Sequence, residues 1–227
     1  MSDVTRIALV GSTGLIGSEI VRRAVGRNDY RIVAISRREL DLPPGAKMEV
    51  LIAPPEQWGD AIAAANAAVF ACALGTTWNK SGRSEDAFRA VDQRLVLDSA
   101  RAAKGAGARQ AVIISSIGAD ARSKNFYLRV KGEVEDAFQK MKFKRLDILR
   151  PGLLRGHRGD DRRVLERLGI LASPITNLVL QGPNRKYRAI DASTVAEAML
   201  VLAAQKAGGR FMHDNDAINR AASRIDR

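Results

Sequence analysis

The sequence predicts an α/β protein built on a doubly wound parallel sheet, and three observations carry that prediction. Predicted strands and helices alternate from residue 5 to about residue 150. The strands are nearly continuous apolar runs, which is typical of a parallel sheet covered by helices on both faces. The chain has no internal repeat and no low-complexity linker. We therefore expect one domain, residues 1–227, with a small irregular C-terminal segment at about 151–190.

Each predicted element follows from its own residues. The strands are short runs rich in apolar and β-branched residues, at 5–10, 31–36, 48–52, 68–74, 110–115 and 145–150. The helices repeat apolar residues at helical spacing, at 15–26, 56–65, 84–104, 126–141 and 191–206. A short strand at 209–214 and a tail helix complete the pattern. Glycine and proline break the alternation after residue 150, which marks the irregular segment.

Composition excludes several classes of protein. The chain has one cysteine, Cys72, so it carries no disulfide framework and no thiolate metal cluster. Its two histidines, His157 and His213, lack metal-ligand spacing, and no metal is predicted. The longest apolar run, 61–75, is too short to span a bilayer, and we recognise no signal peptide ahead of the first strand. We therefore expect a cytoplasmic protein without membrane contact.

The net charge of +12 raises the alternative of a nucleic-acid-binding protein. The basic residues, however, are interleaved with acidic ones, as in RSEDAFR and GDDRRVLER. Aromatic residues make up only 5% of the chain, and no basic helix or aromatic-flanked stripe stands out. We interpret the charge as solvated faces together with a site for an anionic ligand, and expect no specific nucleic-acid partner.

A glycine-rich turn, VGSTGLIGSEI, joins the first strand to the first helix. Gly11 permits a sharp turn, Gly14 lets backbone N–H groups approach a pyrophosphate, and Gly17 lets the helix pack close to the sheet. The spacing is G-x-x-G-x-x-G, and the alternative is an ordinary turn that uses glycine for geometry alone. Its position directly after the first strand favours dinucleotide binding in a Rossmann-like fold.

The end of the second strand distinguishes between two cofactors. An NAD site usually places an acidic residue there to bind the ribose 2′-hydroxyl. This chain instead has Ser36 followed by Arg37 and Arg38. Guanidinium groups make charge-assisted hydrogen bonds to phosphate oxygens. The pair predicts NADP(H), whereas the alternative is two solvated loop arginines.

Four motifs in this order, GSTGLIG, SRR, IISS and YLRVK, resemble the short-chain dehydrogenase/reductase superfamily. More closely, the chain is similar to the Tat-interactive-protein-like branch of its atypical members. That similarity rests on CALGTT, VDQRLVLDSARAAKGAG, SSIGAD, YLRVKGEVE and LRPGLLRG, and it covers about residues 5–206.

The resemblance implies a catalytic set. Tyr127 is the implied proton donor or acceptor, and Lys131, one helical turn later, binds the nicotinamide ribose and favours loss of the tyrosine proton. A serine at the end of the fifth strand polarises the substrate carbonyl. Ser116 is the choice for this role, with Ser115 as the alternative because the double serine leaves the register open.

The resemblance also implies a set of cofactor contacts. The turn, with Gly11 and Gly17 shaping it, would meet the pyrophosphate through Thr13, Gly14, Leu15 and Ile16. The 2′-phosphate would meet Arg37 and Arg38. Further along the cofactor, the resemblance implies contacts at Leu74, Gly75, Tyr127, Lys131, Leu153 and Leu154.

The resulting hypothesis is an NADPH-dependent oxidoreductase acting on an unidentified small carbonyl or alcohol. The alternative is an NADPH sensor whose output is a protein contact with little or no turnover. We expect a monomer or homodimer. Trp78 either stacks on a ligand or covers the edge of the core, and Arg162 either reaches a phosphate or belongs to a charged surface loop. Cys72 is interpreted as a packing residue.

Overall fold

A computed structural model describes residues 4–156 and 188–224 of the chain. Within these residues a seven-stranded sheet has the order β3-β2-β1-β4-β5-β6-β9, and every neighbouring pair is parallel. Its strands are β1 (Thr5–Val10), β2 (Tyr30–Ser36), β3 (Glu49–Ile52), β4 (Val69–Cys72), β5 (Gln110–Ile114), β6 (Arg145–Leu149) and β9 (Gly209–His213). The predicted fold class is confirmed, and the strand at 209–214 is the seventh strand of the sheet.

Helices cover both faces of this sheet. They are α1 (Leu15–Arg23), α2 (Trp58–Ala65), α3 (Glu85–Arg89), α4 (Val96–Gly105), α5 (Phe126–Lys140), α6 (Ala192–Ala203) and α7 (Asn215–Ala222). A 3₁₀ turn, Pro55–Gln57, leads into α2. The predicted helix at 84–104 differs from expectation, because a π-helical segment, Ala90–Leu95, separates α3 from α4.

The core consists of two apolar layers, one on each side of the sheet. Successive residues of β1 point to opposite faces. Ile7 and Leu9 therefore join the layer that also contains residues of α1, α6 and α7. Ala8 and Val10 join the layer of α2, α4 and α5. Because both faces of the central strands are buried, those strands consist mostly of apolar residues, which explains the apolar runs in the sequence.

A second, two-stranded sheet lies within the segment predicted to be irregular. It pairs β7 (Leu154–Arg155) in parallel with β8 (Ile190–Asp191). The amide of Asn215 in α7 holds both sides of this pair, because its Oδ1 accepts the Gly152 N–H at 2.8 Å and its Nδ2 donates to the Arg188 carbonyl at 2.6 Å. The expected lid and its Arg162 lie outside the described residues, and the extent of the domain over 1–227 stays a prediction.

Candidate functional site

The strand order creates a crevice at the carboxyl ends of β1 and β4. Strand β1 lies between β2 and β4, so the chain direction across the sheet reverses beside it. In open α/β sheets such a switch point is where ligands bind. The turn after β1 and the loop after β4 meet there, and the Ala73 N–H donates to the Val10 carbonyl at 2.9 Å.

The glycine turn is tightly packed at this crevice. Gly11 has a φ of +87°, and a Cβ there would lie 2.5 Å from the Ala73 carbonyl carbon. A Cβ on Gly17 would lie 2.0 Å from the Gly11 carbonyl oxygen. Gly14 caps α1 without any side-chain hydrogen bond to the first helical N–H groups. The turn thus presents a helix N-terminus with its partial positive charge toward the crevice.

The residues of the glycine turn differ in how far their side chains are exposed and so accessible to a ligand. The Thr13 side chain is exposed, Leu15 is half-buried, and the Ile16 side chain is buried in the core. Ile16 is therefore available to a ligand only through its backbone. Ser12, which the sequence interpretation did not single out, is 3% exposed, and its hydroxyl has no hydrogen-bond partner among the described residues.

A cleft of about 580 Å³ adjoins the turn. Ser12, Thr13 and Arg38 line it, together with Ser18, Val21, Arg22, Glu39, Leu40, Asp41, Leu42 and Pro43. The backbone N–H of Arg38 donates to the Ser36 hydroxyl at 3.4 Å, which fixes the loop at the end of β2. Arg37 is exposed at the same strand end. The cleft carries both basic and acidic side chains beside the glycine turn.

Helix α5 brings Tyr127 and Lys131 together at the start of the helix. Asn125 caps α5 by accepting the Leu128 N–H at 3.1 Å, so Tyr127 lies in the first turn. The Tyr127 side chain is 37% exposed, whereas Lys131 is 6% exposed. The Lys131 ammonium lies 5.9 Å from the centre of the tyrosine ring. A partly solvent-exposed phenol thus lies one helical turn from a buried ammonium group.

A buried acid that sequence reasoning missed completes this arrangement. Asp92, in the π-helical segment, is 1% exposed, and its Oδ1 lies 2.7 Å from Lys131 Nζ. Burial, the largest single effect, lowers the pKa of Lys131, but the neighbouring groups together, with the charge of Asp92 first among them, raise it by more, so the pKa is raised overall. The sequence did contain a signal, since Asp92 lies four residues after the buried Phe88 on the apolar side of the helix.

The two candidate serines have different surroundings. Ser115 is buried, and its hydroxyl donates to the carboxylate of Glu135 on α5. Glu135 in turn accepts a 2.9 Å hydrogen bond from Arg150 Nε, and this contact holds the Arg150 pKa above its usual range. Ser116 is less buried, and its hydroxyl makes a long 3.4 Å contact with the Ile117 carbonyl. Of the two, Ser116 has the hydroxyl that is not committed to a carboxylate.

The remaining predicted residues surround the same end of the sheet. Leu74 packs partly against the core, and Gly75 is exposed in the loop after β4. Leu153 is 43% exposed, whereas Leu154 is partly buried against the core. A Cβ on Gly156 would lie 2.7 Å from a methyl group of Leu15, which brings the end of β7 against the start of α1.

Trp78 belongs to an aromatic cluster beside Tyr127. Its ring centre lies 5.5 Å from that of Phe126 and 6.5 Å from that of Phe88. Phe88 also contacts Tyr127, with ring centres 5.8 Å apart. Trp78 is 40% exposed, so one part of the ring packs and another faces outward. Cys72 is fully packed, and burial raises its thiol pKa to about 12, which leaves it uncharged at neutral pH.

Comparison with known proteins identifies relatives of this chain. It is 35% identical to a protein of Emericella nidulans named fmp52, mitochondrial, over 70% of this chain and 71% of the relative. It is also 35% identical to the mitochondrial FMP52 protein of Meyerozyma guilliermondii, over 87% and 85% of the two chains. These names contradict the cytoplasmic location predicted from the sequence. That prediction was wrong because cysteine usage and hydropathy do not record where a chain is delivered.

Solved structures with the same fold are more distant in sequence. MoeE5 in complex with UDP-glucose and NAD superposes with a TM-score of 0.67 at 15% identity, over 97% of this chain and 81% of that chain. The Bordetella bronchiseptica enzyme WbmG in complex with NAD gives a TM-score of 0.66 at 15% identity, over 99% and 79%. No helix among the described residues is long and apolar enough to cross a membrane. A family profile described as NAD(P)H-binding matches residues 11–206, and the chain therefore belongs to this NAD(P)H-binding family.

Proposed function

We propose that this protein is an NADPH-dependent oxidoreductase of the short-chain dehydrogenase/reductase type, acting on a small carbonyl or alcohol. The observation that carries the proposal is the half-exposed Tyr127 one turn from the buried, charge-compensated Lys131. On the motifs in its sequence, we assign the chain to the Tat-interactive-protein-like branch. We also propose a mitochondrial location, on the names of its relatives.

The proposed chemistry divides the reaction between cofactor and protein. When bound, the nicotinamide would supply the hydride. Tyr127 donates its phenolic proton to the carbonyl oxygen of the substrate, so the reduced product is an alcohol. The Lys131 ammonium favours the phenolate that remains, and the Ser116 hydroxyl donates a hydrogen bond to the developing oxyanion. The same groups work in reverse on an alcohol.

The preference for NADPH over NADH is proposed from the cleft beside the glycine turn. Two guanidinium groups line it, and Arg22 is already paired with Glu19. Arg38 is therefore the group that we assign to the 2′-phosphate, with Arg37 beside it at the end of β2. A charge-assisted hydrogen bond to phosphate is among the stronger polar contacts that proteins make.

Replacing Tyr127 by Phe tests the proposed activity. Purified protein freed of nucleotide is titrated with NADPH and NADH by calorimetry, and NADPH oxidation is then followed with a panel of aldehydes and ketones. We expect Tyr127→Phe to lower kcat by about 10²-fold or more, in the range of general acid catalysis, while the Kd for NADPH changes little. Binding without turnover in the unaltered protein would favour the sensor instead. Binding of neither nucleotide would refute both functions.

A further inference from the structure

Trp78 lies in the loop between β4 and α3, and the proposed chemistry does not use it. It is 40% exposed. The other tryptophan of the chain, Trp58, is 3% exposed and donates its indole N–H to the Ala53 carbonyl at 3.0 Å, as a core tryptophan does. Trp78 differs from it in leaving part of its ring open, at the end of the sheet where the proposed site lies.

The indole of Trp78 and the phenol of Tyr127 are joined by a shared neighbour. The ring centre of Phe88 lies 6.5 Å from that of Trp78 and 5.8 Å from that of Tyr127. The ring of Phe126, the residue before Tyr127, meets the indole edge to face with centres 5.5 Å apart. Separations of about 4.5–7 Å are those at which aromatic rings attract each other. The indole therefore belongs to the same cluster as the phenol that we assign to proton transfer.

The two phenylalanines of this cluster are enclosed. Phe88 is 0% exposed. The Phe126 ring contacts that of Phe88 and is flanked by two guanidinium groups, with Arg89 at 5.4 Å and Arg129 at 5.7 Å from its centre. The open aromatic surface of the cluster therefore belongs mainly to the indole and to the phenol, which are 40% and 37% exposed. Binding sites for small molecules are typically lined by such rings, with a few polar groups beside them.

We infer that Trp78 binds an aromatic ring of the substrate, which makes the substrate an aromatic aldehyde or ketone. The substrate ring stacks on the open part of the indole, and its carbonyl oxygen reaches the Tyr127 hydroxyl. An indole offers a large apolar face to such a ring at a low cost in conformational entropy. The inference rests on the proposed function, because it names the class of carbonyl that the same site reduces to an alcohol.

The loop that carries Trp78 is held by its own hydrogen bonds. The Trp78 carbonyl accepts from the Ser81 hydroxyl at 2.8 Å and from the Arg83 N–H at 3.0 Å. The Ser81 N–H donates to the Thr77 carbonyl at 3.0 Å. A side chain on an ordered loop loses less conformational freedom when a ligand binds. The backbone thus holds the indole in place before the substrate arrives.

Trp78→Leu tests the inference, because it keeps an apolar side chain and removes the aromatic face. We would measure kcat/KM for benzaldehyde and for cyclohexanecarbaldehyde, whose six-membered rings differ in aromaticity. Comparing the ratio of the two values between variants cancels the intrinsic reactivity of each aldehyde. We expect the ratio of benzaldehyde to cyclohexanecarbaldehyde to fall about 3- to 10-fold in Trp78→Leu, mainly through KM, which is the range of one aromatic pair. An unchanged ratio would overturn the inference.

Two further variants show whether the effect belongs to this ring. Trp78→Phe restores an aromatic face and should recover most of the ratio. Phe211 is the matched control, because it is also aromatic and 37% exposed, but it lies on the edge strand β9, where the Arg145 guanidinium is 4.4 Å from its ring centre. Phe211→Leu should leave the ratio unchanged. An equal fall in Phe211→Leu would mean that the loss reflects stability in general, and the inference would be refuted.

A second readout requires no turnover and uses the unaltered protein, so it also decides the matter if Trp78→Leu does not fold. The chain has two tryptophans, and their indole N–H signals are followed by ¹⁵N NMR. The signal lost in Trp78→Phe is that of Trp78. With NADP⁺ present, we expect acetophenone to shift the Trp78 signal saturably, through the ring current of a stacked ligand, and cyclohexyl methyl ketone to shift it far less. The buried Trp58 should move with neither ketone.

The outcomes separate this inference from the proposed function. A saturable shift of the Trp78 signal in a protein that reduces no carbonyl would support the ring-binding site and refute the proposed reaction. Reduction of both aldehydes with no shift and no change of ratio would support the reaction and refute the aromatic substrate. If Trp78→Leu altered the molar mass measured by light scattering and left the ratio unchanged, the indole would belong to a contact between two copies of the chain, and the inference would be wrong.

Discussion

Among the described residues, several buried charged side chains are paired with a group of opposite charge. Lys131 meets Asp92 across two elements, and Glu135 meets Arg150. On β6, Asp147 is 0% exposed and accepts a hydrogen bond from Arg145 Nε, two residues earlier on the same strand, at 2.6 Å. Removing one member of such a pair leaves the other charge buried, which typically costs about 3–5 kcal/mol. These pairs therefore constrain what can be substituted far more than the exposed ion pairs do.

At the same scale, Arg38→Ala tests the choice of cofactor. If Arg38 binds the 2′-phosphate, its loss removes about 1.5–3 kcal/mol of charge-assisted hydrogen bonding, so the Kd for NADPH rises by roughly 10- to 100-fold. The Kd for NADH, which lacks that phosphate, stays the same. Calorimetry with both nucleotides measures the difference.

Arg109→Ala is the matched control for that substitution. Arg109 is also exposed, but it lies just before β5. It is therefore at the amino ends of the parallel strands, whereas the glycine turn is at their carboxyl ends. We expect it to leave both affinities unchanged. If Arg38→Ala weakened NADH and NADPH binding equally, the arginine would contribute to general binding, and the assignment of the 2′-phosphate to it would be refuted.

Among the elements, α5 is held unusually close to the loop that precedes it. A Cβ on Gly132 would lie 2.1 Å from the Ala121 nitrogen and 2.2 Å from the Asp120 carbonyl carbon. The Asp120 N–H also donates to the Leu128 carbonyl at 3.1 Å. This contact sets the position of the helix that carries Tyr127 relative to the loop that follows Ser116. The fit depends on the absence of a side chain at one position.

Gly132→Ala tests this close approach. Both neighbouring atoms belong to the backbone and cannot rotate away, so α5 or the loop must shift, and we expect a loss of about 1–3 kcal/mol in the free energy of unfolding. Urea denaturation measures it. The control is Gly105→Ala at the end of α4, where a Cβ would meet no atom within 4 Å. There alanine should be neutral or stabilise by up to about 1 kcal/mol. Equal effects of the two substitutions would rule out the close contact.

The elements also show how far sequence reasoning reaches. Strands such as β1 were predicted to the residue because burial on both faces leaves an unbroken apolar run. The interruption by Ala90–Leu95 was missed, because the apolar spacing over 84–104 was interpreted as that of one continuous amphipathic α-helix. Asp92 was missed for a related reason: its partner Lys131 is distant in sequence, and only packing brings them together. The choice between Ser115 and Ser116 likewise depended on Glu135, which lies on another element.

For the whole molecule, the net charge of +12 determines how its surface interacts with other charged molecules. Many of its arginines already have acidic partners near the surface, including Arg6–Glu49, Arg23–Glu197, Arg27–Asp29 and Arg89–Glu133. The charged side chains of the described residues are therefore spread over several faces of the protein, and many of them are paired with an opposite charge. An unspecific, salt-sensitive attraction to polyanions is what such a surface should produce.

We accordingly expect weak binding to duplex DNA at low salt that disappears near physiological salt. At about 0.15 M the screening length is roughly 8 Å, and released counterions no longer favour the complex strongly. Fluorescence anisotropy with two duplexes of unrelated sequence at 20 and 150 mM salt makes the measurement. The two duplexes should bind alike. A clear preference for one of them that persists at 150 mM would contradict our expectation of no specific nucleic-acid partner.

The double hold of Asn215 on Gly152 and Arg188 has a meaning for protein engineering. Gly152 and Arg188 are far apart in the sequence, and a single amide binds both. The Ile190 N–H donates to the Leu153 carbonyl at 2.9 Å, which closes the same junction from the strand side. Gly152 and Arg188 are thus suitable positions at which to join segments of two different proteins. A chimera joined at these two positions would keep the hydrogen bonds that Asn215 makes to both of them.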